Sequence, residues 1–291
     1  MSHPALVPAA VAVITGGASG IGLAAAKRFA AMGMRVCIAD LGAERMDKAL
    51  REISEVRGAD ASPVAGLETD VSRSEDLARL HQFVRSRWGR VDVLMNNAGI
   101  QPGSSIFDSQ GTWDRVLAVN LGGAVLGTRE FVPAMLAADK PGLVINTGSK
   151  QGITTPPGDP AYNVSKAGLK VFTEALQHEL RNTPGCQITA HLLIPGFVFT
   201  ELTAQGRTEK PPAAWTPEQT VDFMVEGLHA GDFYILCPDN DVPRALDERR
   251  ILWAAADLME NRPPLSRWHP QYAAAFAEFA QSATSGLITK P

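Results

Sequence analysis

Cysteine is scarce in this chain: three among 291 residues, Cys37, Cys186 and Cys237, far apart and each in or beside an apolar run. An odd count without metal-ligand spacing excludes a disulfide scaffold and reads as reduced core thiols of a cytoplasmic protein. No apolar run reaches the length of a membrane span, and Met1-Ser2-His3-Pro4 carries no positive segment, so neither a signal peptide nor a membrane anchor is expected. Basic runs and aromatic-basic interleaving are missing and the net charge is −4, which removes nucleic acid and anionic membranes from the expected partners. No His/Cys/Glu cluster suits a metal, and none is expected. Internal repeats and low-complexity segments are absent as well.

What is present is an ordinary globular composition, with 45% apolar and 20% charged residues. A chain this long buries enough of its surface to need no covalent staple. Short apolar runs predict strands over 10–15, 34–39, 62–68, 91–96, 142–147, 188–194 and 232–237. Between and after them, helical patterns cover 20–32, 42–57, 74–88, 112–137, 160–182, 217–229, 242–260 and 270–282. Strands rich in Val, Ile and Leu without clean alternation belong to a sheet buried on both faces. The strand–helix alternation makes it parallel and doubly wound, an α/β Rossmann-type fold of seven strands with helices on both faces. No linker divides residues 1–238, so they read as one dinucleotide-binding and catalytic domain, followed by a helical extension over 239–291. Apolar stripes in that extension (Ile251, Leu252, Ala255, Leu258 and Met259, then Tyr272, Phe276 and Phe279) suit docking on the main body or on a partner subunit, or a role in shaping the substrate pocket. The polar loop 198–216, with Gly206, Pro211 and Pro212, lies where a ligand-covering lid would sit.

A glycine-rich turn, Thr15-Gly16-Gly17-Ala18-Ser19-Gly20-Ile21-Gly22, links the first strand to the first helix. A helix N-terminus offers free N–H groups and partial positive charge, which suit a pyrophosphate, and glycines let it come close. The common Gly-x-Gly-x-x-Gly spacing is not the one used here. Asp40 ends the second strand, eighteen residues after Gly22. A carboxylate there accepts hydrogen bonds from ribose hydroxyls and repels a 2′-phosphate; Leu41 beside it brings no positive charge, so NAD is favoured over NADP. The competing reading makes Asp40 a plain helix N-cap. Asp70 and Val71 follow the third strand; Asp70 either meets the adenine edge or caps the next helix. Asn96-Asn97-Ala98-Gly99 ends the fourth strand with small residues that permit close backbone approach.

Tyr162 and Lys166 stand four apart, on one face of a helix. A free tyrosine titrates near pH ~10, too high for a base at neutral pH, and a nearby ammonium lowers it. A hydroxyl from Ser149 suits hydrogen bonding to a substrate oxygen. Jointly with the turn, these residues resemble the short-chain dehydrogenase/reductase family over about 8–238. The family's Thr-Gly-x-x-x-Gly-x-Gly turn matches 15–22, its Asn-Asn-Ala-Gly 96–99, its helix asparagine Asn120, its serine Ser149, its Tyr-x-x-x-Lys 162–166, and its Pro-Gly element Pro195 and Gly196.

The resemblance implies that Tyr162 exchanges the proton with the substrate, that Lys166 lowers its pKa and holds the nicotinamide ribose, that Ser149 orients the substrate oxygen, and that Asn120 anchors a water linking Lys166 to solvent. Gly16, Ser19, Gly20, Ile21, Gly22, Asp40, Leu41, Asp70, Val71, Asn97, Ala98, Gly99, Pro195, Gly196, Val198 and Thr200 would join Tyr162 and Lys166 at the cofactor. It also implies a homodimer or homotetramer through helices 112–137 and 160–182; the family's usual glycine-rich finish is replaced here by Cys237-Pro238 and the extension. By position, Gln101, Gln151, Ile153, Phe197 and Phe199 line the substrate side, and suit a sizeable apolar secondary alcohol or ketone. Lys150 either attracts a substrate carboxylate or, the favoured reading, is a solvated side chain. The expected activity is NAD-dependent hydride transfer to or from that alcohol or ketone. Reduction of 3-oxoacyl thioesters and a non-catalytic NAD-binding regulator are the alternatives.

Overall fold

The sheet begins where the chain is most apolar. In the computed structural model, which describes residues 2–56, 63–204 and 206–281, Val11–Thr15 (β1) is buried at every position. The far ends of three predicted elements (57, 62 and 282), position 205 of the predicted lid, and 282–291 of the extension lie outside the described residues. Gly20–Ala31 (α1) follows, then Arg35–Asp40 (β2), Ala43–Glu55 (α2), Val64–Glu68 (β3), Ser74–Trp88 (α3) and Val93–Asn96 (β4). Next come Gln110–Leu117 (α4), Gly123–Ala137 (α5), Gly142–Thr147 (β5), Gln151–Thr154 (α6), Pro160–Asn182 (α7) and Ile188–Ile194 (β6). The last are Glu201–Ala204 (α8), Pro217–Ala230 (α9), Tyr234–Leu236 (β7), Arg244–Met259 (α10) and Ala273–Gln281 (α11).

All seven strands run parallel in the order β3-β2-β1-β4-β5-β6-β7. The apolar side chains of α1, α2 and α9 pack on one face, around Phe29, Met34, Ile38, Ile53 and Met224. Those of α3, α5 and α7 pack on the other, around Leu77, Leu80, Leu94, Phe131 and Leu180. This is the doubly wound arrangement, and its strand order reverses between β1 and β4, where open α/β sheets form a crevice at the carboxyl ends of their strands.

Three departures from the sequence expectation bear on the site. The predicted helix 112–137 is two helices joined by a π-helical segment, Ala118–Gly122. Single π turns inside helices concentrate at functional sites; here the turn carries Asn120. Two one-turn helices, α6 and α8, escaped prediction because four residues carry no readable period. The loop 198–216 is pinned at its base, with a parallel bridge between Val198 and Trp215 and bonds from Phe199 N to Trp215 O (2.9 Å) and Trp215 N to Phe197 O (2.9 Å).

Beyond β7, α10 packs on α6 and α11. Buried Trp253 meets the rings of Phe276 and Phe279, each with centroids 5.3 Å away, and donates to Ser266 Oγ at 2.8 Å. Ile251 joins Ile153 and Phe233 against Leu192, Ile194 and Leu236. Leu258 and Met259, from the same predicted stripe, face outward with 87% and 76% of their surface exposed. No helix among the described residues is long and apolar enough to cross a membrane.

Candidate active site

One cleft of about 790 Å³ opens at the carboxyl ends of β1, β4, β5 and β6. At its floor the turn from β1 to α1 is shaped by glycine. Gly16 and Gly20 have φ of +62° and +51°, in the left-handed region that L side chains avoid. A Cβ on Gly20 would stand 3.1 Å from the Thr200 methyl across the cleft. Ser19 is the N-cap of α1 but makes no side-chain cap bond, so first-turn N–H groups of α1 stay free to meet an anion. Asn97 ties the strand ends together: its Nδ2 donates to Thr15 O (3.2 Å) and Gly16 O (3.1 Å), and its Oδ1 accepts from Thr147 Oγ1 (3.2 Å).

Asp40 closes one end of the cleft. Its carboxylate accepts from Ala18 N at 2.9 Å and Leu41 N at 2.8 Å. The N-cap of α2 is Gly42, so Asp40 does not cap that helix. Asp70 lines the cleft and accepts from Ser72 N (2.9 Å) and Ser72 Oγ (2.6 Å); the N-cap of α3 is Arg73, so Asp70 does not cap that helix.

At the other end, the start of α7 is fastened by Ser104, which bonds Asp159 and accepts from Ala161 N at 3.0 Å. That sets Tyr162 and Lys166 into the cleft wall, both buried. Ser149, at the end of β5, hydrogen-bonds the Tyr162 phenol, and its Oγ accepts from Gln151 N at 3.1 Å. Lys166 Nζ donates to Thr147 O at 2.7 Å and lies 5.6 Å from the Tyr162 ring centre. Burial pushes the Tyr162 phenol up to about 12; the Ser149 bond pulls it down and the Asp159 carboxylate pushes it up further. Burial brings the Lys166 ammonium down to about 8. The sequence predicts that the ammonium lowers the tyrosine; in the structure burial sets the direction and the phenol is raised.

Asn120 sits one layer behind, 1% exposed. Its Nδ2 donates to Ile100 O (2.9 Å) and Ser165 Oγ (3.2 Å), and its Oδ1 accepts from Ile100 N (2.8 Å). It therefore fixes the backbone that follows Gly99, where a Cβ would stand 3.7 Å from Lys166 Nζ.

The sequence profile of the short chain dehydrogenases matches residues 10–211. The chain belongs to the short-chain dehydrogenase family. D-beta-hydroxybutyrate dehydrogenase of Rhizobium meliloti is 33% identical over 219 residues, covering 74% of this chain and 83% of that one. A short-chain dehydrogenase/reductase from Burkholderia phymatum, solved with NAD, superposes with a TM-score of 0.78 at 28% identity, over 88% of this chain and 96% of its own. A metagenomic short-chain oxidoreductase solved with NADP gives a TM-score of 0.66 at 29% identity, over 80% and 98%.

Most of the residues picked out from the sequence line this cleft: Gly16, Ser19, Gly20, Ile21, Asp40, Leu41, Asp70, Val71, Asn97, Ala98, Gly99, Ser149, Tyr162, Lys166, Pro195, Gly196, Val198 and Thr200, and of those expected at the substrate, Gln101, Gln151 and Phe197. Gly22 does not line it; a Cβ there would lie 2.0 Å from Gly16 O, so its role is to let helix and turn touch. Ile153 and Phe199 fall outside the lining, Ile153 because α6 turns its side chain toward β6 and β7.

Lys150 is not the solvated side chain favoured from the sequence. It is 14% exposed, with Nζ 2.6 Å from Asp247 Oδ2 and 3.3 Å from Asp239 Oδ2. Asp239 lines the cleft and also accepts from Phe197 N at 3.3 Å. The partners stand far away in the chain, so no local pattern could announce them. The cleft also holds two arginines that the sequence reading passed over, Arg45 and Arg115. Arg45 lies in the first turn of α2, just past Asp40, and pairs with Glu201 of α8 at 3.6 Å. A basic residue soon after the strand-ending acid is the signal that would have found it.

Proposed function

We propose that the protein is an NAD-linked oxidoreductase that moves a hydride between the nicotinamide ring and the carbinol carbon of a secondary alcohol or its ketone. The observation that carries this reading is the meeting of Ser149, Tyr162 and Lys166 in the cleft whose other end holds the glycine turn and Asp40. Bound nicotinamide supplies the hydride exchange and, when oxidised, a positive charge. The chain supplies the rest. Ser149 holds the substrate oxygen. Tyr162 Oη takes the hydroxyl proton during oxidation and returns it to the carbonyl during reduction. Lys166, kept dry against Thr147 O, becomes worth more electrostatically as the site closes to water.

NAD is favoured because the Asp40 carboxylate stands where a 2′-phosphate would be repelled. Arg45 is the one cation beside it among the described residues that line that end, and Glu201 holds it. The hydroxybutyrate dehydrogenase among the relatives is consistent with a secondary alcohol. NADH formation from NAD and from NADP, across secondary alcohols from small aliphatic to aryl, tests the reading. Tyr162→Phe should bind cofactor normally and lose turnover by ~10³-fold or more; wild-type turnover in that variant would refute the assignment of the proton. Asp40→Ala should improve kcat/KM with NADP; no change would remove the ribose role.

By the same reading, residues 1–238 act as one domain with the extension docked on it, and α4, α5 and α7 pair two copies. Val164 and Val171 of α7 are exposed, which suits a partner. A solution mass of 31.1 kDa, one chain, would refute the pairing.

A further inference from the structure

A second pocket, about 490 Å³, lies behind α6, between Ile153–Thr155 and the C-terminal helices. Three arginines reach it, Arg250, Arg262 and Arg267, against one acid, Asp257. Arg262 is committed: it pairs with Asp257 at 3.1 Å, donates to Trp253 O at 2.7 Å and stacks 4.2 Å from the Trp253 ring centre. That pairing cancels Asp257, which also accepts from Ser266 N at 3.1 Å.

Arg250 and Arg267 make no ion pair among the described residues, and Arg250 Nε is buried without a hydrogen-bond partner. Arg267 is held in place by stacking, 4.7 Å from the Trp268 ring and 5.0 Å from Phe276. Its guanidinium is lowered to about 10, by burial first and then by the charge of Arg250, against which the Asp247 carboxylate raises it. A protein keeps such a pair only at a cost, and an anion between them would relieve it.

The walls are apolar and flat: Trp253, Trp268, Leu258, Pro264 and Ile153. Strain gathers here as well. Of the five non-glycine residues with positive φ among the described residues, three line this pocket, Thr155 (42°), Asn261 (52°) and Leu265 (56°). Strained backbone of this kind persists where the surroundings hold it and clusters at ligand sites.

We infer that this pocket is a second ligand site, separate from the cofactor cleft, for a carboxylate or phosphate group carried on a flat apolar body. Arg250 and Arg267 take the anion, and each fork suits a pair of its oxygens. Trp268 and Leu258 cover the body. The back of α6 forms one wall, and Gln151 at its start bonds Ser149, so the occupant touches the segment that carries the serine. This inference does not depend on the identity of the alcohol.

The test is titration of the full chain with phenylacetate, phenyl phosphate and the neutral phenylacetamide, read by tryptophan fluorescence and calorimetry, with and without saturating NADH. Both anions should bind at least about tenfold more tightly than the amide, and NADH should leave this unchanged. Arg250→Gln and Arg267→Gln should each weaken the anions about tenfold. Leu258→Glu, at a side chain 87% exposed, should do so without any demand on the fold. Equal binding of acid and amide, no binding at all, displacement by NADH, or wild-type affinity in Leu258→Glu would each overturn the proposal.

Discussion

Tyr162 has a dry hydroxyl, and burial pushes its phenol up to about 12. Lys166 is desolvated too, which brings its ammonium down to about 8, and its Nζ is engaged with Thr147 O. The glycines of the turn divide by a similar local argument. A methyl on Gly22 would overlap Gly16 O at 2.0 Å, and a backbone oxygen cannot swing aside. One on Gly20 would meet only the movable Thr200 side chain at 3.1 Å, with left-handed strain of about 1–2 kcal/mol. Gly22→Ala should thus lower unfolding free energy by about 3 kcal/mol or more. Gly20→Ala should lose only that strain of about 1–2 kcal/mol yet bind NADH at least ~10-fold more weakly, since its methyl would crowd the turn at the floor of the cleft. Urea melts and NADH fluorescence titrations separate the two; equal melting of both would refute the division.

At the scale of elements, Lys150 joins three segments that the sequence leaves far apart: the end of β5, the stretch after β7 and the first turns of α10. One cation faces two carboxylates, so the pieces are not equivalent. Removing the lysine leaves Asp239 and Asp247 buried together; removing Asp247 leaves a balanced pair. Burial already raises the Asp247 carboxyl above the usual range. Lys150→Met should therefore cost about 3–5 kcal/mol, against about 1–2 kcal/mol for Asp247→Asn. Denaturant unfolding with kcat in parallel reads both, and a larger loss in Asp247→Asn would refute the account. This cluster also marks where the sequence stops being legible. Every strand and every long helix announced itself, because burial on both faces or on one stripe leaves a period. The cofactor turn and the Tyr162–Lys166 spacing were equally plain, since each is a local constraint. Strand order, the π turn at Asn120, the four-residue helix that swings Ile153 away, and the burial of Lys150 all depend on tertiary packing and leave no local trace.

At the scale of the whole molecule, the N-terminal segment is clipped onto the sheet by histidines. His3 N donates to His229 Nδ1 at 2.9 Å, while His3 Nε2 and His191 Nε2 both meet Thr189 Oγ1, at 3.0 and 2.9 Å. Burial, then the neighbouring His191 and His229, lowers His3 from 6.5 to about 4, and burial lowers His191 too. The folded state thus takes up these protons later than the unfolded chain. Their stabilisation is complete above pH 6.5 and is lost as pH falls from there toward 4. Tm should drop between pH 7 and pH 5, and His3→Gln should reduce the drop by about 2–4 °C. An unchanged drop would show that His3 is not the sensor.

The strand order has a consequence for synthesis. From β1 the sheet grows outward through β2 and β3, then from its other edge through β4, β5, β6 and β7. No strand has to be threaded between two that are already paired, so each joins a free edge as it leaves the ribosome. Translation delivers Lys150 long before Asp239 and Asp247, and until the last stretch emerges the nascent sheet carries an unanswered cation beside its serine.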